Sequence, residues 1–226
     1  MMIKENLNRI KATLPAGVTL VAVSKTHPVE MLQEAYDAGQ RIFGENKVQE
    51  MTAKSQVLPT DIEWHFIGHV QSNKIKMMAP YVSVIQGVDT FDKLAEIDRQ
   101  AARFKRHITC LLQLHIATEE TKFGFSADEC TAMLDEGKWK SLQNITLGGV
   151  MGMASNTDNE AQVRGEFRRL KQLFDTYKEK YFHDSPDFNT ISAGMSGDYE
   201  LAIREGSNMV RIGSSIFGER NYNINK

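Results

Sequence analysis

Lys25 is the residue of this sequence with the clearest potential for chemistry. It follows an apolar, β-branched run, V-T-L-V-A-V-S at positions 18–24, which is typical of a strand buried on both faces. In an α/β barrel, the carboxyl ends of the strands carry the binding and catalytic residues. A lysine at such an end can be partly desolvated, and its neutral amine can attack a carbonyl group to form a Schiff base. The alternative is a structural lysine whose ammonium group simply reaches solvent.

A second signal comes from two turns rich in glycine and serine near the end of the chain. S-A-G-M-S-G-D at 192–198 and R-I-G-S-S at 211–215 each stand where a predicted strand meets a helix. Backbone N–H groups in such turns converge on anions, and barrels commonly bind phosphate at their last two strands. The turns predict a phosphate site, although each alone is also compatible with a tight loop. The candidate residues are Ser196, Gly197, Gly213 and Ser214.

Arg211 is unusual because it lies inside the predicted strand M-V-R-I-G. Side chains alternate along a strand, so if Val210 and Ile212 face the outer helices, the arginine points into the barrel. A buried arginine needs a partner. That partner is either an acidic residue such as Glu205 or Glu219, or a ring nitrogen or carboxylate of a ligand.

Further polar residues lie within or after predicted strands two, three and five. They are Glu45, Asn46, His65, Gly68, His69 and Lys122. His65 alternates with Trp64 and Phe66 in an apolar strand, which favours a histidine satisfied in the core over a catalytic base. The sequence shows no Ser-His-Asp order, no paired carboxylates and no spacing of metal ligands, so we predict no metal site.

The elements that must position these residues alternate regularly along the chain. An amphipathic helix at 2–13 comes first. Eight predicted strands follow, at 18–25, 41–46, 62–68, 82–88, 108–116, 145–153, 188–195 and 209–213. Predicted helices separate them, beginning near Pro28, Lys47, Ser72, Phe91, Ser126, Asp158 and Asp198.

This alternation predicts an α/β fold, a single (β/α)8 TIM barrel with an extra N-terminal helix. About 28 residues are available for each strand and helix, which suits a βα unit. We expect residues 1–226 to form one barrel domain. A doubly wound open sheet is the alternative architecture.

Composition limits the class of protein. The 226 residues are 41% hydrophobic and 25% charged, with a formal net charge of −2. Basic and acidic residues are interspersed, so we expect no nucleic-acid partner, and no apolar run reaches the length of a membrane span. The first ten residues do not resemble a secretory signal, and Cys110 and Cys130 lack the spacing of a metal or redox motif. We therefore expect a cytoplasmic protein that binds a small molecule, and we expect it to be a monomer.

Three of these features on one barrel mouth point to a single cofactor. A carbonyl-reactive Lys25, a phosphate cradle and an inward Arg211 match the aldehyde, the phosphate and the pyridine nitrogen of pyridoxal 5'-phosphate. A Schiff-base aldolase that acts on a sugar phosphate is a competing interpretation of the same residues.

Five segments of the sequence resemble one known family. They are A-V-S-K-T-H-P, F-G-E-N-K-V-Q-E, W-H-F-I-G-H-V-Q-S-N-K, M-S-G-D-Y-E-L-A-I and V-R-I-G-S-S-I-F-G. Together they are similar to the pyridoxal phosphate homeostasis (YggS/PROSC) family, whose members resemble the barrel domain of alanine racemase. Two departures occur: S-A-G-M-S stands where the family usually has S-M-G-M-S, and R-I-G-S-S where it often has R-I-G-T-A. Ser214 keeps a hydroxyl group, so we expect phosphate binding to be retained.

The resemblance implies a set of cofactor contacts. Lys25 carries the Schiff base, and Arg211 lies at the ring nitrogen. The predicted cofactor-binding residues are Lys25, Asn46, Met195, Ser196, Arg211, Gly213 and Ser214.

The resemblance also implies a function. Family members hold pyridoxal phosphate without an established catalytic turnover and take part in intracellular homeostasis of the cofactor and in amino-acid balance, with pyridoxal-phosphate-dependent apoenzymes as candidate recipients. The alternative is a pyridoxal-phosphate-dependent amino-acid racemase or a related enzyme. We expect the chain to lack the additional β domain that helps complete the alanine racemase site. We therefore expect at most a weak activity on amino acids.

Overall fold

The structure is a computed structural model and describes residues 2–119 and 123–219. Its strands are β1 (Thr19–Val23), β2 (Ile42–Glu45), β3 (Glu63–Phe66), β4 (Val82–Val88), β5 (Ile108–Leu114), β6 (Ile145–Gly152), β7 (Thr190–Ser192) and β8 (Met209–Ile212). All are parallel, and they follow the sequence order around a closed barrel in which β8 pairs with β1. The predicted (β/α)8 barrel is confirmed, and the open-sheet alternative is wrong.

Helices surround the barrel. They are α1 (Met2–Thr13), α2 (Val29–Asp37), α3 (Val48–Ser55), α4 (Ile75–Met78), α5 (Phe91–Arg103), α6 (Ala127–Glu136), α7 (Glu160–Tyr181), α8 (Tyr199–Arg204) and α9 (Ser214–Phe217). Short 3-10 turns occupy Ser72–Lys74 and Lys138–Ser141. The extra helix α1 packs against α2 and α9, and the amide of Asn6 donates to the carbonyl oxygen of Ile216 at 3.1 Å. It thereby joins the start of the chain to its last described helix.

Local capping explains where two helices begin. Ser126 and Glu129 form the capping box that the sequence predicts, each side chain accepting a hydrogen bond from the backbone N–H of the other residue. The longest helix, α7, begins at Glu160 rather than at the predicted Asp158. Asn159 is its cap, because its side chain accepts a hydrogen bond from the Gln162 N–H at 3.2 Å.

The seventh strand is shorter than predicted, with three residues instead of eight. Phe188, at the start of the predicted run, is fully buried, but it stacks on Phe174 and Phe182 in the layer outside the barrel. Gly194, near the end of the run, has a φ of +95°, which turns the chain out of the sheet. The apolar run therefore combines a residue buried among the outer aromatic side chains with residues buried in the strand itself.

The core has two layers. Val21, Leu111, Met151 and Met209 fill the inside of the barrel, and a much larger cluster fills the space between the strands and the helices. Gly149 lets β6 approach β7, because a Cβ at this position would lie 1.9 Å from the Thr190 carbonyl oxygen. No helix in the described ranges combines the length and the apolar character needed to cross a bilayer.

Candidate functional site

A cavity of about 220 Å³ opens at the carboxyl ends of the strands. Its apolar wall comes from Val23, Ile67 and Met153. Six of the seven predicted cofactor-binding residues line it, namely Lys25, Met195, Ser196, Arg211, Gly213 and Ser214. The end of β1, the turn after β7 and the turn after β8 therefore meet at one site, as the barrel topology requires.

Lys25 lies two residues beyond the end of β1. Val21 belongs to the cluster inside the barrel, and Val23 lines the cavity. Alternation along the strand places Lys25 on the same side. The lysine is partly buried and lines the cavity, in the position that carbonyl chemistry at the barrel mouth needs.

Arg211 points into the barrel, as strand alternation predicts. It pairs in register with the inward-facing Val21, and only 4% of its surface is exposed. Arg211 forms no ion pair within the described ranges of the chain, and Glu205 is bonded instead to Arg164 and Arg168. The structural ion pair considered for Arg211 is therefore wrong.

A chain of neutral hydrogen-bonding groups holds Arg211 in place. Its Nη1 donates to Ser192 Oγ at 2.6 Å, and its Nη2 donates to the Gly152 carbonyl oxygen at 3.0 Å. Ser192 Oγ donates to Gln86 Oε1 at 2.6 Å. The Gln86 amide nitrogen donates in turn to Nδ1 of His65 at 2.9 Å. A guanidinium group has five N–H donors, so these two contacts leave donors unused in a residue that lines the cavity.

Burial sets the charge states along this chain. It lowers the pKa of the Arg211 guanidinium to about 10, against a weaker opposing effect of Asp198. It also lowers the pKa of His65 to about 3, so this ring is neutral near pH 7. Because Nδ1 accepts from Gln86, the ring proton is on Nε2. His65 is thus a core histidine, as its apolar strand predicts.

The two Gly/Ser turns face each other across one end of the cavity. The Gly213 N–H donates to Ser196 Oγ at 3.3 Å, which joins the turns. Among described groups, none accepts a hydrogen bond from the backbone N–H of Ser196, Gly197, Ser214 or Ser215. A Cβ added to Gly197 would meet no heavy atom within 4 Å, so the space beside it is open. Unused N–H donors beside open space can accommodate an anion.

Asn46 is the predicted residue that the structure places elsewhere. With Lys47, His69 and Lys74 it lines a second cavity of about 400 Å³ near the start of α3. A Cβ on Gly68 would lie 2.4 Å from the Asn46 carbonyl oxygen, so this part of the chain packs closely against the end of β3. A contact between Asn46 and the cofactor stays a prediction.

The remaining polar candidates divide among different environments. The His69 ring stacks on Phe123 at 3.9 Å beside the second cavity. Glu45 is fully buried on the outer side of the barrel and is bonded to Ser24 and Lys54, so it does not line the Lys25 cavity. Lys122 lies outside the described residues. No group of three or more potential metal ligands occurs among the described side chains.

Sequence reasoning missed the partners of Arg211. Gln86 stands in the apolar strand V-S-V-I-Q-G-V, and Ser192 stands in β7. A polar residue inside an apolar strand is the one local signal that could have identified them. Their contact with each other joins positions 106 residues apart, which local pattern does not specify.

The comparisons with known proteins agree with this geometry. Residues 2–221 match the family model described as the alanine racemase N-terminal domain. A pyridoxal phosphate homeostasis protein from Haemophilus influenzae is 37% identical over 240 residues, which cover 100% of this chain and 99% of that protein. The chain belongs to the pyridoxal phosphate homeostasis protein family. The family resemblance expected from the five sequence segments is confirmed.

Solved structures place the family on the same barrel. PipY of Synechococcus elongatus, with pyridoxal phosphate bound, superposes with a TM-score of 0.86 at 32% identity and covers 96% of this chain and 100% of its own. Alanine racemase from Clostridium difficile superposes with a TM-score of 0.76 at 14% identity, and the match covers 98% of this chain but 57% of the racemase. At that identity the racemase shows a shared fold alone.

Proposed function

We propose that this protein binds pyridoxal 5'-phosphate as a Schiff base on Lys25 and contributes to homeostasis of the cofactor and of amino acids. The observation that carries the proposal is one cavity that gathers Lys25, Arg211 and a set of unused backbone N–H groups. The donor set fits the cofactor, because an amine, a cationic donor and an anion cradle match its aldehyde, ring nitrogen and phosphate. The family and the ligand of PipY support the same assignment.

Lys25 supplies the covalent link. Its amine would hold the cofactor, whose aldehyde group would supply the carbonyl for a Schiff base. The apolar wall of Val23, Ile67 and Met153 excludes part of the solvent around the amine.

The two turns and Arg211 fix the orientation of the bound molecule. Backbone N–H groups of Ser196, Gly197 and Ser214 would hold the phosphate, and the hydroxyl groups of both serines would add further donors. Arg211 would offer an N–H donor to the ring nitrogen. When bound, the cofactor supplies an electron-withdrawing ring whose strength depends on protonation of that nitrogen.

The chemistry of the lining favours a carrier over an enzyme. Racemisation needs an acid or base on each face of the substrate α-carbon, and Lys25 can serve one face only. The described lining residues include no histidine, tyrosine or carboxylate that could serve the other. Arg211 also disfavours protonation of the ring nitrogen, which weakens the ring as an electron sink. An amino-acid racemase is therefore the weaker candidate.

Several broader features belong to the same proposal. Residues 1–226 act as a single pyridoxal-phosphate-binding barrel domain and as a monomer, with pyridoxal-phosphate-dependent apoenzymes as recipients. Its place is the cytoplasm, and the free, buried thiols of Cys110 and Cys130 are compatible with a reducing compartment. These features rest on the sequence and the family.

Borohydride trapping tests the covalent assignment. Protein mixed with pyridoxal phosphate should absorb near the visible edge, and reduction followed by peptide mass mapping should recover the label on Lys25. Lys25→Arg keeps the charge but should lose both the absorbance and the label. Lys47→Arg, a matched change in the second cavity, should keep both. Label recovered on Lys47 or Lys122 of the wild type, or no label at all, contradicts the proposal.

A further inference from the structure

A group of three charged residues lies behind the loop that carries Lys25. Glu45 ends β2, and Glu50 and Lys54 belong to α3. The ammonium group of Lys54 donates to Glu45 Oε1 at 2.7 Å and to Glu50 Oε1 at 2.8 Å. One buried cation thus joins two carboxylates. We refer to Glu45, Glu50 and Lys54 as the clamp.

The clamp holds the residue before Lys25. Ser24 is fully buried, and its hydroxyl group donates to Glu45 Oε1 at 2.7 Å. Its carbonyl oxygen accepts a hydrogen bond from Lys54 Nζ at 2.8 Å. Because both the side chain and the main chain of Ser24 are bound, the direction in which the chain enters Lys25 is fixed.

The clamp also holds the residue after Lys25. Thr26 has a φ of +67°, in the left-handed region that a β-branched residue rarely adopts. Its hydroxyl oxygen is buried without a hydrogen-bond partner among the described residues. The contact that favours this conformation is the Thr26 N–H, which donates to Glu50 Oε1 at 2.6 Å. A strained residue persists only when its surroundings impose its geometry.

A role in stability alone explains the clamp poorly. Buried ion pairs are often no more stabilising than apolar residues of the same volume. Burial raises the pKa of Glu45 to about 7 in spite of the adjacent Lys54, and Glu45 Oε2 has no partner in the described structure. Burial of the clamp is therefore unfavourable, and its structural effect is to hold Ser24 and Thr26, the two neighbours of Lys25.

We propose that Glu45, Glu50 and Lys54 are positioning residues, which hold Ser24 and Thr26 so that the Lys25 amine is aimed at the cofactor carbonyl. None of the three lines the Lys25 cavity, so they act through the backbone rather than by touching the ligand. This inference rests on the proposed function, because it concerns the lysine that carries the Schiff base.

A double-mutant cycle between Glu50 and Thr26 tests the proposal. Glu50→Ala removes the acceptor that holds the strained residue, and Thr26→Gly removes the strain, because glycine adopts a positive φ freely. We expect Glu50→Ala to weaken pyridoxal phosphate binding at least 10-fold. We expect the double variant to bind within about threefold of Thr26→Gly alone. Affinity is read from the absorbance titration, and occupancy of Lys25 from borohydride labelling.

Matched measurements separate positioning from folding. Glu50→Leu fills the same volume without an acceptor and should behave like Glu50→Ala, and urea unfolding of each apo variant reports stability. The proposal is overturned by an unchanged affinity in Glu50→Ala. It is also overturned if Glu50→Ala weakens binding as much in the Thr26→Gly background as it does in the wild type. A wild type without label on Lys25 overturns the proposed function as well, whereas a labelled wild type with unaffected variants overturns the clamp alone.

Discussion

Replacing Arg211 by methionine should leave the apo protein at least as stable as the wild type. Arg211 is buried, and its two hydrogen bonds within the described chain go to neutral acceptors, Ser192 Oγ and the Gly152 carbonyl oxygen. A buried cation without a counter-ion is unfavourable. The site therefore carries a free-energy cost that a methionine of similar length removes.

The size of that cost follows from the pKa of the guanidinium group. Burial lowers this pKa from the ordinary value of a guanidinium group to about 10, and each pKa unit corresponds to about 1.4 kcal/mol. Folding is therefore opposed by roughly 3 kcal/mol at neutral pH, a cost that is complete below pH 10 and disappears as the pH rises from there to the ordinary pKa of the group. Leaving the Gly152 oxygen unpaired in Arg211→Met costs about 1–3 kcal/mol. The expected net change in the free energy of unfolding is a gain of about 0–2 kcal/mol.

Cofactor affinity should change in the opposite direction. A hydrogen bond from a charged donor to the ring nitrogen contributes about 1.5–3 kcal/mol, so its loss should weaken pyridoxal phosphate binding roughly 10- to 100-fold. The assays are urea unfolding of the apo protein and absorbance titration with the cofactor. Arg168→Met is the control, because this exposed arginine pairs with Glu205 far from the cavity. It should change stability by less than about 1 kcal/mol and leave affinity unchanged.

The opposite outcome would refute this reasoning. Breaking a buried ion pair usually destabilises a protein by about 3–5 kcal/mol, because the partner is left as an uncompensated charge. A loss of that size in apo Arg211→Met, with unchanged cofactor affinity, would mean that the arginine is a structural element of the barrel. Gain of stability with loss of affinity is the signature of a residue kept for binding.

Two further predictions concern the phosphate turn and turnover. Gly197→Ala places a methyl group in open space beside the phosphate turn, so it should keep or slightly raise stability. It should weaken binding of pyridoxal phosphate but leave binding of pyridoxal, which lacks the phosphate, unchanged. Gly165→Ala on α7, also in open space, is the control and should change the binding of neither ligand. Cofactor-loaded protein incubated with L-alanine in heavy water should exchange its α-hydrogen far more slowly than 1 per second, as followed by NMR and chiral analysis. Racemisation at about 1 to 10³ per second, the usual enzyme range, would instead establish the racemase alternative.

The sequence predicted those parts of the fold and site that depend on a short repeating pattern of apolar and polar residues. Apolar runs separated by amphipathic helices predict the barrel, and alternation in M-V-R-I-G predicts the inward Arg211. Glycine and serine at strand ends predict turns with free N–H groups, which Ser196 and Ser214 contribute to the cavity. In each case a few consecutive residues and the fold class suffice.

Other parts of the site depend on contacts between distant elements. The clamp joins Ser24 to Lys54, 30 positions away, through the packing of α3 on β2. Asn46 follows β2 directly, yet it lines the second cavity. Which cavity a loop residue faces depends on its packing against the neighbouring loop after β3, which the local sequence does not specify. Glu45 is a partial exception, since alternation with the inward-facing Ile42 could have placed it on the outer side.

The polarity of the barrel interior connects the fold to the choice between binding and catalysis. His65 is neutral near pH 7 and accepts from Gln86, so the amide oxygen of Gln86 must accept from Ser192. The Ser192 hydroxyl group donates its single hydrogen to Gln86, so it can only accept a hydrogen bond from Arg211. Reversing this order would require the other neutral tautomer of His65, with its ring proton on Nδ1, together with a flipped Gln86 amide.

Arg211 can only donate, because a guanidinium group has no acceptor atom, so a ring nitrogen that met it would accept a hydrogen bond. A nitrogen that accepts is unprotonated, and an unprotonated pyridine ring withdraws electrons from an attached amino acid less strongly than a protonated one. Residues of β3, β4 and β7 that do not line the cavity hold this donor in place, because Gln86 links His65 to the Ser192 hydroxyl group that accepts from Arg211.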